Sequence, residues 1–278
     1  MSFNEVKIHG TEDFPFELYE IDFSHPKYEM AHHWHSNVEI IRILKGSLSI
    51  TLNNKTFLAN GGETIFVNSE TVHGATPNDC IYECIVFNLN FLKTGNIVCD
   101  GFLDDLCEHH AYLFDHIGND ITNQTIERLF TSIKEKKEGY QFLVIGAINE
   151  LIGLLKENKL YTHQLESFSE KENKNVVKLK TVLQFIRQNF DKEITLDAMA
   201  DAVGFSTKYF CNFFKNMTGK TPVGYLNMYR IEKACKKLLT TDMPITQIAY
   251  TCGFNDLSYF IKIFKQIKNC TPKQFRKV

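Results

Sequence analysis

The sequence predicts an α+β protein of two domains: a small β-barrel with a helical extension, then an all-α domain holding two helix-turn-helix motifs. Three observations carry this. From residue 14 to about residue 91, short apolar segments alternate with turn residues. From about Gly101 the apolar spacing becomes helical. The last hundred or so residues repeat themselves at a period near 50.

Residues 1–100 hold the expected barrel. Strands are predicted over residues 39–44, 47–52, 64–67 and 82–87. Lys45-Gly46, Asn53-Asn54 and Asn60-Gly61-Gly62 are read as the turns between them. Residues 101–165 are the helical extension. Ile126, Leu129, Phe130 and Ile133 follow helical spacing, as do Leu143, Ala147, Ile148, Leu151, Ile152 and Leu155. Such stripes pack on their own domain or form the seam of a homodimer, since most soluble oligomers are symmetric dimers. Residues 166–175 are polar and poor in large apolar side chains, and are read as a linker.

Composition narrows the function. The 278 residues are 44% hydrophobic and 23% charged, ordinary for a globular protein. No apolar run approaches membrane-spanning length, and the first residues lack a signal-peptide pattern, so a cytoplasmic location is expected. The eight cysteines are scattered, without a CxxC pair, and are expected to be reduced thiols. A net charge of -2 hides an asymmetry. Residues 1–175 carry 14 Lys and Arg against 26 Asp and Glu; residues 176–278 carry 17 against 7. A chain divided in this way has one part suited to meet a polyanion.

The basic part contains the repeat. Leu196-Asp197-Ala198-Met199-Ala200-Asp201-Ala202-Val203-Gly204-Phe205 lies over Ile245-Thr246-Gln247-Ile248-Ala249-Tyr250-Thr251-Cys252-Gly253-Phe254. Tyr209-Phe210 matches Tyr259-Phe260, Phe214-Lys215 matches Phe264-Lys265, and Thr221-Pro222 matches Thr271-Pro272. Each copy reads as helix, turn, helix. The glycine takes the left-handed conformation that ends a helix, and Ser206 or Asp256 caps the next. The second helix of such a motif enters the major groove of DNA. Between the copies, residues 222 to 239 read as one helix of about 27 Å. That is near one DNA turn of about 34 Å, so both copies could reach successive grooves. With Phe210, Phe213, Phe214, Phe260, Ile263 and Phe264 buried, the outward residues are Thr207, Lys208, Cys211, Asn212 and Lys215 in the first copy. In the second they are Leu257, Ser258, Ile261, Lys262 and Lys265. Asn212 suits an adenine edge, Leu257 or Ile261 a thymine methyl, and the lysines guanine or phosphate.

These residues carry a resemblance. Residues 176–278 are similar to the AraC/XylS family of bacterial regulators. The match runs through Arg230-Ile231-Glu232-Lys233-Ala234, through Ile245-x-x-Ile248-Ala249 with Gly253-Phe254, and through Tyr259-Phe260, Thr271-Pro272 and Phe275-Arg276. The family commonly has Arg where Asn212 stands and a polar residue where Leu257 stands. These departures bear on which DNA sequence is read, not on the mode of binding. The resemblance implies double-stranded promoter DNA and RNA polymerase as partners, and it favours activation.

The N-terminal region has its own resemblance. His33-x-His35-x-x-x-Glu39 followed by Gly46 has the spacing of the first cupin motif. Gly62 followed eleven residues later by His73 resembles the second, with Asn68 where many cupins have Pro. This implies a cupin-like β-barrel, which many AraC-family regulators carry as an effector domain for sugars or related small molecules. Three readings stay open for His33, Trp34, His35, Glu39 and His73. One is a metal site at His33, His35, Glu39 and His73, whose three imidazoles and one carboxylate suit Zn, Fe, Mn or Ni. One is a metal-free polar pocket for an effector, with Trp34 stacking on a sugar ring. The last is a purely structural role. No other cofactor is expected.

The sequence thus reads as a ligand-responsive, sequence-specific DNA-binding regulator. No catalytic triad or P-loop stands out, and Asn60-Gly61-Gly62 is a turn rather than a phosphate loop, so no catalysis is expected. The principal rival is a metal-dependent cupin enzyme with a DNA-binding tail. A pure interaction protein accounts poorly for the basic charge and the duplicated motif.

Overall fold

Alternation of side chains sets the N-terminal architecture. The computed structural model describes residues 9–11, 13–25, 27–53, 55–117, 121–163 and 170–276. Its first strands are β1 (Phe16–Ile21), β2 (Met30–His33), β3 (Val38–Leu52), β4 (Lys55–Asn60), β5 (Thr64–Val67) and β6 (His73–Phe87). The long strands β3 and β6 pair antiparallel and form the spine of one sheet. Each changes its other neighbour halfway. Residues Glu39 to Arg42 pair with β5, and Ser47 to Leu52 pair with β4. Strand β1 runs beside Ile85 and Phe87 at the far end of β6.

The switch falls at Lys45 and Gly46, where the β3–β6 register shifts. The expected turn there is a bulge inside one continuous strand. Gly46 has φ +73°, and a Cβ on it would lie 2.1 Å from the carbonyl oxygen of Asp79. Only glycine fits such a close approach, which bends the strand without ending it. Asn60-Gly61-Gly62 does form a turn; Asn54 of the other expected turn lies outside the described residues.

Parity along β3 separates two environments. Val38 and Ile40, with Phe66, Ile85 and Phe87, join a core built with the helices. Glu39 and Ile41 therefore point to the opposite face of the sheet. The helices are α1 (Ile97–Cys107), α2 (Asn123–Glu135) and α3 (Tyr140–Glu157). A short ladder of β7 (Tyr112–Leu113) and β8 (Tyr161–Thr162) accompanies them. The predicted stripes supply the core: Ile126, Leu129, Phe130 and Ile133 from α2, and Ala147, Ile148, Leu151, Ile152 and Leu155 from α3. Leu143 is the exception. It is half exposed beside the exposed Phe142, and Val144 is buried instead. Helix α2 is also tied to the sheet by charge. Glu83, fully buried, accepts from Arg42 Nε at 2.8 Å and from Lys134 Nζ at 2.9 Å. A buried carboxylate is tolerable only when paired in this way.

By contacts the chain divides into two units, Met1–Phe23 with Trp34–Glu170, and Ser24–His33 with Lys171–Val278. The sheet and the helical extension thus belong to one unit. Helix α4 (Glu170–Asn189) begins inside the stretch expected as a linker, so residues 170–175 are helical; residues 166–169 lie outside the described residues. Its lysines and glutamates are as favourable to helix as they are to a solvated linker, so composition alone did not separate the two.

The second unit continues with α5 (Leu196–Asp201), α6 (Thr207–Thr218), α7 (Pro222–Thr240), α8 (Ile245–Thr251), α9 (Leu257–Lys268) and α10 (Pro272–Phe275). Gly204 and Gly253 both have positive φ, as the turn requires. Asp256 caps α9 by accepting from the Tyr259 backbone N–H, whereas Ser206 holds the cap position of α6 without a side-chain bond. Thr221 and Thr271 cap the helices that begin with Pro222 and Pro272. The segment before His33 packs within this unit. The Tyr225 hydroxyl donates to the His32 carbonyl, and Lys220 pairs with Glu29. No helix among the described residues is long and apolar enough to cross a membrane.

Candidate nucleic-acid interface and barrel cluster

Two groups of residues are candidates for function. The first lies on α6 and α9. Phe210 and Phe214 of α6, and Phe260 and Phe264 of α9, are fully buried, so the opposite faces turn to solvent. Lys208, Asn212 and Lys215 are exposed on α6; Ser258, Lys262 and Lys265 are exposed on α9. Four cations and two neutral polar groups thus stand free on the two helices. The remaining predicted residues are half-buried. Leu257 and Ile261 pack against the α7–α9 core. The Thr207 hydroxyl donates to the Asp197 carboxylate, and Cys211 is partly covered. Helix α7 has 19 residues and so a length of about 28 Å.

A residue that sequence reasoning treated only as part of a motif proves central to this unit. The Arg230 guanidinium is buried in α7. Its Nε donates to the Phe190 carbonyl and its Nη2 to the Lys192 carbonyl, each at 2.7 Å. Burial pulls its pKa down from the ordinary arginine value. Gly253 lies against the same guanidinium. Arg230 therefore fixes the end of α4 against the turn of the second helix-turn-helix. No local spacing announces this, because its partners are backbone atoms 38 and 40 residues away.

The second group lies in the N-terminal sheet. Within the first unit, His35, Glu39 and His73 of the predicted set come together; His33 belongs to the second unit. Alternation along a single strand does not produce this. Strand β2 ends at His33 and β3 begins at Val38, so His35 sits on the connection between them. Glu39 enters from the start of β3 and His73 from the start of β6. His73 Nε2 lies 3.2 Å from Glu39 Oε2, and His35 Nε2 lies 3.5 Å from the same oxygen. His35, Glu39 and His73 are buried, His73 completely. Burial by itself would raise the Glu39 carboxyl. Hydrogen bonding to His35 and His73, and their charge, outweigh it and hold the group well below the usual carboxylate range.

Trp34 is 4% exposed and is not one of the converging groups. A residue outside the predicted set borders the cluster. The buried His9 ring lies 5.9 Å from that of His35, and its Nδ1 is 3.1 Å from both Glu17 Oε2 and Tyr19 Oη. Nothing in the sequence around His9 marks it, since its approach is purely tertiary. The eight cysteines are all free thiols, and burial pushes Cys235 up to about 12. Such a thiol is inert at neutral pH.

Comparison with known proteins matches both regions. Residues 15–93 match the model of an AraC-like ligand binding domain, and residues 199–278 match that of a helix-turn-helix domain. The chain is 27% identical to the uncharacterized HTH-type transcriptional regulator YdeC of Bacillus subtilis, over 99% of this chain and 96% of that protein. It is 26% identical to the HTH-type transcriptional activator RhaS of Shigella sonnei, over 90% of this chain and 89% of that protein. Among solved structures, ToxT of Vibrio cholerae superposes with a TM-score of 0.50 at 14% identity, covering 94% of this chain and 97% of that one. That likeness concerns the fold.

Proposed function

The chain belongs to the AraC/XylS family of transcriptional regulators, and from that premise we propose that it is a sequence-specific activator controlled by a small-molecule effector held in the N-terminal barrel. The observation that carries the DNA-binding part is the duplicated helix-turn-helix, with exposed Lys208, Asn212 and Lys215 on α6 and Ser258, Lys262 and Lys265 on α9. Lys215 and Lys265, near the ends of their helices, meet phosphates. Asn212, Lys208 and Lys262 read base edges. Leu257 and Ile261, being half-buried, offer only their outer methyl groups to thymine. Activation is supported by the likeness to RhaS, and RNA polymerase is then the protein partner. The effector acts by binding one state of the chain more tightly than another, which shifts the population competent for promoter binding. The chain acts in the cytoplasm as a homodimer formed by the helical extension. The exposed Phe142 and Leu143 of α3 support that placement.

The test is a gel shift on DNA from upstream of its own and neighbouring genes, at several salt concentrations, with excess nonspecific competitor. A sequence-selective complex is expected. Lys262→Ala and Asn212→Ala should each weaken it by roughly 10-fold, as a lost base contact of about 1–3 kcal/mol requires. Equal binding to every sequence, or none, would remove the regulator reading.

A further inference from the structure

We propose that Tyr259 donates a hydrogen bond to a DNA backbone phosphate, and that Asn227 of α7 is the positioning residue that aims its hydroxyl. This deepens the DNA-binding reading and rests on it. The exposed face of α9 is wider than the outward set drawn from the sequence. Tyr259 is 43% exposed and stands one turn before Lys262 on the same face, beside Ser258. The Asp256 carboxylate accepts from the Tyr259 backbone N–H and so fixes the first turn of the helix. Asn227 is buried in α7, yet its amide reaches out of the core: Nδ2 donates to the Tyr259 hydroxyl oxygen at 2.9 Å. A phenol oxygen that accepts from an amide keeps its own O–H proton for a second acceptor. Among the described residues no acceptor takes that proton.

Where the proton points follows from the tether. Asn227 and Arg230 are one turn apart on α7, and both reach the second helix-turn-helix. Arg230 meets the turn at Gly253; Asn227 meets α9 at its third residue. A ring held against α7 at one edge and open to solvent at another lies on the flank of α9, not at the tip that probes base edges. The flank of a helix seated in the major groove faces the groove wall, and that wall is phosphate. Tyrosine hydroxyls are among the neutral donors that bind phosphate oxygens. A hydroxyl already held by a buried amide also loses less freedom on binding. The first copy is built otherwise. Tyr209 occupies the matching position and is 52% exposed, but its ring packs edge-on against Phe205 at 4.7 Å, and its hydroxyl has no hydrogen-bond partner among the described residues. The two copies share the tyrosine; the second alone holds it from α7.

The experiment follows, by fluorescence anisotropy, binding of the full-length chain to the shortest duplex that keeps the selective complex. Each phosphate is replaced in turn by a neutral methylphosphonate. Tyr259→Phe should bind the unmodified duplex about 10-fold more weakly, as loss of a hydrogen bond to a charged group requires. At one phosphate where the wild type is sensitive to methylphosphonate, the variant should be indifferent. The loss should be equal on an unrelated duplex, because a phosphate carries no sequence. The salt dependence should stay the same, because no charge is removed, whereas Lys265→Ala should lower its slope by about 1. Asn227→Leu should weaken binding roughly 5-fold in the wild type and not at all in Tyr259→Phe, since the two side chains act as one. Wild-type affinity in Tyr259→Phe overturns the contact. A loss confined to the selective duplex, or an unchanged methylphosphonate pattern, overturns phosphate as the target. Additive losses overturn the positioning role of Asn227. The methylphosphonate pattern compares phosphates within one protein, so it decides the matter even for a less stable variant. Selective wild-type binding with an unaffected Tyr259→Phe removes this contact and leaves the regulator. Absence of any selective wild-type complex removes both.

Discussion

Arg230 carries more of the C-terminal unit than its place in a motif conveys. Two charge-assisted hydrogen bonds run from its guanidinium to the carbonyls of Phe190 and Lys192, in a place where water does not compete. Replacing it with methionine keeps volume and helix propensity but leaves both carbonyls without a donor. Arg230→Met is therefore expected to destabilise the unit by about 3 kcal/mol, since a hydrogen bond to a charged group contributes about 1.5–3 kcal/mol. Urea unfolding followed by helical ellipticity measures it; an unchanged midpoint would show that the carbonyls find other donors. The buried cluster of His35, Glu39 and His73 is the opposite case. Spacing singled these residues out in the sequence. What spacing left hidden was the pair of backbone carbonyls, of Asn37 and Thr71, against which the two imidazoles rest, because any residue type supplies a carbonyl.

At the scale of elements, the two helix-turn-helix copies look alike in sequence but not in tolerance. Gly204 and Gly253 both adopt positive φ. A Cβ on Gly204 meets nothing within 4 Å, whereas one on Gly253 would lie 2.2 Å from the Phe190 carbonyl oxygen and 2.9 Å from the Arg230 guanidinium. Gly204→Ala carries only the backbone strain, about 1 kcal/mol. Gly253→Ala adds a steric clash and is expected to cost at least about 2 kcal/mol more. Chemical denaturation of the two variants compares them directly, and equal losses would contradict this account. The same contrast explains a misread element. Lys45-Gly46 has the composition of a turn, and local chemistry favours one. The carbonyl of Asp79 on the neighbouring strand makes it a bulge, and β3 runs through to Leu52.

At the scale of the molecule, the structure shows one task of the helical extension, and the proposed dimer would be a second. The apolar stripes of α2 and α3 cover the outer face of the sheet. Phe142 is 83% exposed and Leu143 52%, side by side at the start of α3. Light scattering of the full chain at micromolar concentration is expected to give twice the chain mass. Phe142→Asp should return it to the single mass without lowering the melting temperature, because the side chain contributes little to the core. A monomeric wild type, with and without DNA, would remove the homodimer.

The sequence by itself determined the class of each half and its family. Periodicity of two and of 3.6 are properties of local backbone geometry, and a repeated turn glycine needs no partner to be recognised. It also determined which phenylalanines of α6 and α9 are buried, and hence which lysines stand free. The tertiary structure alone decided that β3 is one strand, that α4 starts within the polar stretch after residue 169, and that Leu257 and Ile261 are half-claimed by the core. It alone decided that a residue on a connection, His35, completes the cluster with Glu39 and His73. The physical reason is common to all of these. Each outcome depends on an atom supplied by a distant part of the chain, and helix propensity, alternation and turn chemistry describe only a residue's near neighbours.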